Sequence, residues 1–171
     1  MVEIGVEWDR VAEWNDTWAL AVVFGLASVP WTYGFVAGSV PLWPAFIASA
    51  AYYAAGDGLP ALARGYAANA AGIVYAAATL ALAGAVDGGL VALSLVVGAF
   101  MFLASLHDFL PLLSFTPGGF FGYATMFSVD AAGATAFGVP GLAGGTVAAL
   151  SSMFAGALIG LGTDRLSSRL A

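Results

Sequence analysis

The sequence lacks most of the side chains on which enzymes and metal centres depend. Cysteine is absent, which excludes disulfides, thiol nucleophiles and cysteine-ligated metals. Histidine occurs once, at His107, so no histidine cluster can hold a metal. The HExxH, GxSxG and P-loop motifs are missing as well. Because catalysis needs convergent reactive groups, we expect neither enzymatic activity nor a bound cofactor or metal.

Charged residues are also scarce. Only 8% of the 171 residues are charged, 61% are hydrophobic, and the mean hydropathy is +0.95. A soluble domain of this composition would not have enough polar surface to meet water. The apolar runs are continuous and rich in alanine and glycine, unlike the alternating strands of a membrane barrel. The sequence therefore predicts an all-α integral membrane protein in contact with the lipid bilayer.

Lysine is missing altogether, and four arginines face ten acidic residues, for a net charge of −6. So acidic a polar surface favours a salty cytoplasm and suggests a halophilic archaeon as the source. A genome composition that favours alanine, glycine and arginine is the alternative explanation for the missing lysine. The acidity argues against nucleic-acid partners.

Six apolar segments account for most of the chain, and turn-rich or polar breaks separate them. We place them at residues 18–38, 42–55, 62–86, 90–105, 117–129 and 142–161. A bilayer-spanning helix needs roughly 20 residues, so the second and fifth segments are short. Ahead of them, residues 1–16 are acidic and tryptophan-rich, which fits either a short interfacial helix or a frayed tail.

The arginines set the expected orientation. Arg10 precedes the first segment, Arg64 starts the third, and Arg165 and Arg169 follow the sixth. With six spans and a cytoplasmic N-terminus, all four arginines fall on the cytoplasmic side, as positive charges in membrane proteins usually do. We therefore expect a plasma-membrane protein with both termini in the cytoplasm and a short tail at residues 165–171.

The two halves of the chain resemble each other when one is shifted by 73 residues. "LWPAFIASAAYYA" then falls on "FTPGGFFGYATMF", so that Pro44 meets Pro117 and Gly72 meets Gly145. Each half reads long segment, proline-led short segment, small-residue-rich segment. Three spans per copy make the second copy enter from the opposite side. The sequence thus predicts two inverted three-helix repeats, at residues 17–89 and 90–164.

Paired short segments interrupted by glycine and proline often mark the solute site in inverted-repeat proteins. Pro117 and its counterpart Pro44 would each begin a short helix, whose first N–H groups could serve as donors. Gly118, Gly119 and Gly122 would let a solute or a backbone approach closely. For the glycines taken singly, simple helix packing is the favoured alternative.

The stretch "LLSFTPGGFFGYATMF" resembles the "LLSFVPGxFxGxxxxF" pattern of the DUF1097 family, small multi-spanning inner-membrane proteins of unknown function. The upstream "LWPAFIASAAYYAAGDGLPAL" is similar to that family's "SWAGF…AYF" stretch, and the similarity covers residues 19–162. The resemblance marks Ser114, Phe115, Pro117, Gly118 and Gly122. Thr116 stands where the family pattern has an apolar residue, and the acidic N-terminal segment is additional.

Neutral polar groups and aromatic rings supply the remaining candidates. Asn69 lies within a span and either faces a pore or bonds a neighbouring helix. His107 and Asp108 are expected as a solvated loop pair, with a pH sensor at a pore mouth as the alternative. The candidate pore-lining or solute-binding residues are Pro44, Phe46, Asn69, Ser114, Phe115, Thr116, Pro117, Gly118, Gly119, Gly122 and Tyr123.

These features favour a channel or facilitator for a small uncharged solute of the urea, amide, polyol or ammonia class. The spans contain almost no ionisable residues, so ions would be excluded by the cost of their desolvation. A non-transporting scaffold or accessory subunit is the alternative, with Gly34/Gly38 and Gly156/Gly160 serving partner helices at GxxxG spacing. An ion-coupled transporter is a third. Flat faces of small residues also favour a homo-oligomer.

Overall fold

A computed structural model describes residues 13–86 and 89–171 of the chain. Within these ranges the fold is entirely helical. A 3₁₀ turn, Leu106–Phe109, follows the fourth helix. The helices are α1 (Asp16–Ala37), α2 (Trp43–Ala55), α3 (Gly58–Ala85), α4 (Gly89–Ser105), α5 (Thr116–Ala131) and α6 (Gly141–Ser167).

The predicted segments correspond one to one with these helices. Four are long and apolar enough to cross a membrane, judged by length and composition: α1, α3, α4 with its 3₁₀ turn, and α6. At 1.5 Å per residue, α2 and α5 measure only about 20 and 24 Å. Both short helices carry a proline in their first turn, Pro44 and Pro117, as expected. The proposed interfacial helix at residues 1–16 lies almost wholly outside the described residues.

Local chemistry explains where several helices begin. The Asn15 side-chain oxygen accepts hydrogen bonds from the Thr17 and Trp18 N–H groups and caps α1. Proline at the start of α2 and α5 removes an N–H that would have no partner there. The two-residue connection between α2 and α3 turns sharply because Gly56 adopts φ +118°, a conformation that L side chains rarely adopt.

The helices run in alternating directions. Helices α2 and α6 are parallel, because Ser49 bonds the Gly156 carbonyl and Tyr53 bonds Thr163 further along both helices. The start of α2 meets the end of α5, since the Trp43 indole donates to the Ser128 hydroxyl at 3.1 Å. Helices α2 and α5 are therefore antiparallel, and the chain reverses between them.

Each short helix packs most extensively against the third helix of the other half, α2 against α6 and α5 against α3. Both crossings bring backbones into contact. A methyl group on Gly72 would overlap the Gly119 carbonyl, and one on Gly122 would overlap the Asn69 carbonyl. On the other crossing, a methyl group on Gly156 would overlap the backbone of Ala45. Packing is thus confirmed as a role of these glycines.

The first residues of the helices correct the 73-residue offset between the two halves of the chain. Gly89 follows Asp16 by 73 residues and Thr116 follows Trp43 by 73, but Gly141 follows Gly58 by 83. The longer connection at residues 132–140 adds seven of the ten extra residues, and the greater length of α5 relative to α2 adds the other three. The pairing of Gly72 with Gly145 is therefore wrong in space: the glycine of α6 that meets the backbone of α2 is Gly156, one residue beyond the helix-start counterpart of Gly72. Gly156 and Gly160 face Ala45 and Tyr52 within the chain, so they are not free for a partner helix.

We predict that Gly72→Ala lowers the free energy of unfolding by at least about 1–3 kcal/mol, the usual cost of overpacking. The added methyl group would meet backbone atoms, which cannot rotate away. Gly84→Ala, on the same helix but with nothing within 4 Å, should leave stability unchanged or raise it slightly. Thermal unfolding midpoints in one detergent compare the two variants, and equal midpoints would contradict the crossing.

Candidate functional site

The crossing of α3 and α5 encloses a polar side chain that has no partner. Asn69 is completely buried on α3. Neither its Oδ1 nor its Nδ2 atom has a hydrogen-bond partner among the described residues. A Cβ on Gly118 would lie 3.2 Å from Oδ1, so the first turn of α5 passes directly beside the amide. An amide buried without partners costs about 1–3 kcal/mol per group by mutational measures.

His107 approaches the same turn of α5 from the 3₁₀ segment after α4. The residue is 2% exposed, and its Nδ1 atom has no partner in the described structure. A Cβ on Gly119 would lie 3.3 Å from Nδ1. The other ring nitrogen, Nε2, lies 3.2 Å from the Tyr75 hydroxyl, which fixes the orientation of the imidazole. Asn69 and His107 therefore face adjacent glycines of one helical turn.

The start of α5 supplies fewer backbone donors than a helix start usually does. Pro117 has no N–H, and the Gly118 N–H donates to the Phe115 carbonyl at 2.9 Å. The unpaired groups at this place are therefore the side chains of Asn69 and His107. Chemically, they offer an amide donor, an amide acceptor and one imidazole nitrogen.

A paired hydrogen-bond network supports the crossing on its other side. The Thr79 hydroxyl lies 2.7 Å from the Tyr123 hydroxyl and 2.9 Å from the Tyr75 carbonyl. The Tyr75 ring also stacks on Phe100 of α4, with centroids 5.3 Å apart. These contacts hold Tyr75 and, through it, His107 in place.

The matching crossing of α2 and α6 has no comparable gap. By the 83-residue register, Ser152 occupies the position of Asn69, and its hydroxyl donates to the Pro41 carbonyl. Ser49 occupies the position of Gly122 and donates to the Gly156 carbonyl at 2.7 Å. The two crossings thus differ: the α2–α6 crossing pairs the hydroxyls of Ser49 and Ser152, whereas the α3–α5 crossing leaves the Asn69 amide and the neighbouring His107 Nδ1 unpaired.

The structure brings together only part of the residue set expected from the sequence. Asn69, Gly118, Gly119 and Gly122 meet at the α3–α5 crossing, and Tyr123 belongs to its supporting network. Four others lie near the start of α5 but outside the contact with Asn69: Ser114, Phe115, Thr116 and Pro117. The Ser114 hydroxyl donates to the Pro111 carbonyl, and the Thr116 hydroxyl donates to Asp108 at 3.3 Å. Pro117 is exposed.

Pro44 and Phe46 lie on the other short helix. Pro44 is buried, and the partly exposed Phe46 ring packs on Trp31 with centroids 4.4 Å apart. Because α2 and α5 are antiparallel, the two prolines stand at different ends of the pair. Pro117 is 11 residues, or about 16 Å along α5, from the residue that Trp43 bonds.

One expectation about a single residue was wrong. His107 is not half of a solvated loop pair, because it is buried while Asp108 is exposed. Of the two alternatives left open for Asn69, a bond to a neighbouring helix is absent, because its amide has no partner among the described residues. Sequence reasoning also missed Tyr75 and Thr79 as neighbours of the site. Tyr75 and Thr79 follow Asn69 by six and ten residues, and this spacing could have indicated that they lie near it. The apolar residues around them in the sequence hid that signal.

The chain belongs to the family described as protein of unknown function (DUF1097), whose model matches residues 21–168. A search of curated proteins and a search of solved structures each found no match.

We predict that Asn69→Leu raises the free energy of unfolding by about 1–3 kcal/mol, because it removes two unpaired polar atoms and keeps the number and branching of the side-chain heavy atoms. Ser152→Ala is the matched control at the equivalent position. It should lower stability by about 1 kcal/mol, since the Pro41 carbonyl loses its donor. Thermal unfolding in detergent measures both, and a destabilised Asn69→Leu protein would contradict an unpaired amide.

Proposed function

We propose that the protein is a membrane facilitator for a small uncharged solute with both donor and acceptor groups, of the urea or amide class. The observation that carries the proposal is the group of unpaired buried atoms on Asn69 and His107 beside Gly118 and Gly119. A fold that leaves an amide without partners loses stability at that position. A solute that supplies the missing partners would recover this energy when it binds.

The crossing as it stands is closed. The unpaired atoms of Asn69 and His107 have almost no accessible surface, and Gly118 has no room for a methyl group beside Ala68. Passage therefore requires the first turn of α5 to move away from α3. The unpaired groups favour such opening, because water or solute reaches them only then. The α3–α5 crossing is then both the position at which the solute binds and the gate that controls its passage.

Neutral chemistry surrounds the gate. Asn69, Tyr75, Thr79 and Tyr123 are neutral polar side chains. The nearby carboxylate of Asp108 is exposed at the start of α5, so an ion that reached Asn69 would have to give up its hydration among neutral groups. A small neutral solute loses far less on dehydration and regains hydrogen bonds from the amide and the imidazole.

The proposal includes a topology of six spans in two inverted repeats, in the plasma membrane, with both termini cytoplasmic. The alternating helix directions support it. So does the position of the arginines. Gly58 donates to the Tyr52 hydroxyl, which donates to Asp164 at 2.6 Å, so the α2–α3 turn lies beside the end of α6. Arg64, Arg165 and Arg169 therefore share one end of the fold, as cytoplasmic arginines would.

The acidic composition supports a halophilic source.

Because the sequence has no cysteine, single cysteines report this topology without background. We predict that Ala132→Cys, after α5, reacts with a membrane-impermeant maleimide on intact cells. Asp57→Cys, between α2 and α3, should react only after permeabilisation. Both positions are exposed in the fold. Labelling of both from the same side would contradict six spans.

An accessory or scaffold role, as part of a homo-oligomer or with another membrane protein, is the second candidate. The exposed faces of α1 and α4 favour it: only 6% of the most apolar stretch of the α4 span is buried within the chain. Gly34 also has nothing within 4 Å and stays available to a neighbouring helix. Lipid can cover such faces as well as a partner helix can, so the exposed faces do not distinguish the two functions. A measurement of solute flux decides between the facilitator and the scaffold.

The deciding experiment is stopped-flow light scattering on proteoliposomes, with urea, glycerol, ammonia and water tested separately. We predict solute-selective permeability for the wild type and its loss in Asn69→Leu, which stays folded. Ser152→Ala should retain permeability, because its crossing has no unpaired amide. Gly118→Leu is less informative, since leucine does not fit beside Ala68 and Phe115.

Wild-type permeability no greater than that of empty liposomes, for all four solutes, would contradict the facilitator. Co-purification of the inert protein with another membrane protein would then support the scaffold. Permeability retained in Asn69→Leu would leave a facilitator whose path lies elsewhere.

A further inference from the structure

We propose that Thr125 is a second solute-contacting residue, one step further along the path that begins at Asn69. This inference rests on the proposed function. It concerns the part of α5 beyond the gate, which the sequence did not single out.

The Thr125 hydroxyl is exceptional among the buried threonines of residues 13–86 and 89–171. A buried threonine in an apolar helix normally donates to the carbonyl one turn earlier. Thr79 donates in this way to Tyr75 at 2.9 Å, and Thr163 to Ile159 at 2.8 Å. Thr125 is equally buried, yet its Oγ1 atom has no partner. A hydroxyl that could bond its own helix is left unpaired.

Thr125 lies on the same helical face as the gate. Gly118, Gly122 and Thr125 stand at positions i, i+4 and i+7 of α5, and all three are buried. Gly118 and Gly122 are the residues that meet Asn69. Seven residues of α-helix span about 10 Å, so Thr125 is one solute length or two beyond the amide. The unpaired groups of Asn69 and Thr125 therefore lie along one face of α5, and His107 approaches the adjacent Gly119.

The line ends at a contact between the two short helices. Ser128, three residues after Thr125, accepts a hydrogen bond from the Trp43 indole and donates to the Thr125 carbonyl at 2.8 Å. Trp43 and Ser128 are exposed, so this end lies at the surface of the bundle. A path along α5 would thus run from His107 and Asn69, past Thr125, to the Trp43–Ser128 contact.

The test measures urea and glycerol permeability of proteoliposomes with Thr125→Val, which keeps the shape and removes the hydroxyl. The loss of one hydrogen bond to the solute should lower permeability about fivefold. Thr125→Ser restores a hydroxyl and should restore most of the permeability. Thr146→Val is the matched control, because the Thr146 hydroxyl bonds its own helix at Leu142, and it should match the wild type.

Wild-type permeability in Thr125→Val, with a conducting wild type and a non-conducting Asn69→Leu, would overturn this inference and leave the proposed function standing. Failure of Thr125→Ser to restore permeability would also overturn it, because the loss would then come from packing. A wild type that conducts no solute would overturn both proposals together.

Discussion

The contact between the backbones of α3 and α5 is the constraint on which the rest of the structure depends. Helices in an apolar solvent gain little from hydrophobic burial and associate through close packing. Here Gly72 and Gly122 allow carbonyl oxygens to touch α-carbons, and such weak Cα–H···O contacts recur where membrane helices cross. This proximity fixes how far the first turn of α5 lies from Asn69 and His107.

Where helix backbones pack this closely, a buried polar side chain must find a partner or lose free energy. The two halves of the fold differ in whether such side chains find one. At the α2–α6 crossing, Ser152 and Ser49 each find a carbonyl across the interface. At the α3–α5 crossing, the larger Asn69 amide finds none. Violations of polar pairing in otherwise well-packed proteins concentrate where function requires them. The difference between two crossings of one architecture is therefore better evidence for a site than the unpaired amide alone.

The sequence predicted the helices well, because prolines, glycines and apolar runs punctuate it locally. It also identified Asn69 and the glycines that surround it. The burial of His107 was beyond local reasoning, since its neighbour Asp108 is exposed and only the turn after α4 carries the ring inward. The register of the third helices was missed because residues 132–140 lengthen one connection and because α5 is longer than α2. That Asn69 and Thr125 lack partners depends on distances between helices, which no residue pattern encodes.

The central claim is that the unpaired groups at the α3–α5 crossing bind the solute. Since His107 is the only histidine, selective ¹⁵N-histidine labelling gives one imidazole in the nitrogen NMR spectrum of the protein in lipid. We predict that saturating urea shifts the Nδ1 resonance and leaves Nε2, already beside the Tyr75 hydroxyl, nearly unchanged. In Asn69→Leu the shift should be lost. An Nδ1 resonance that does not respond to urea in the wild type would contradict the claim.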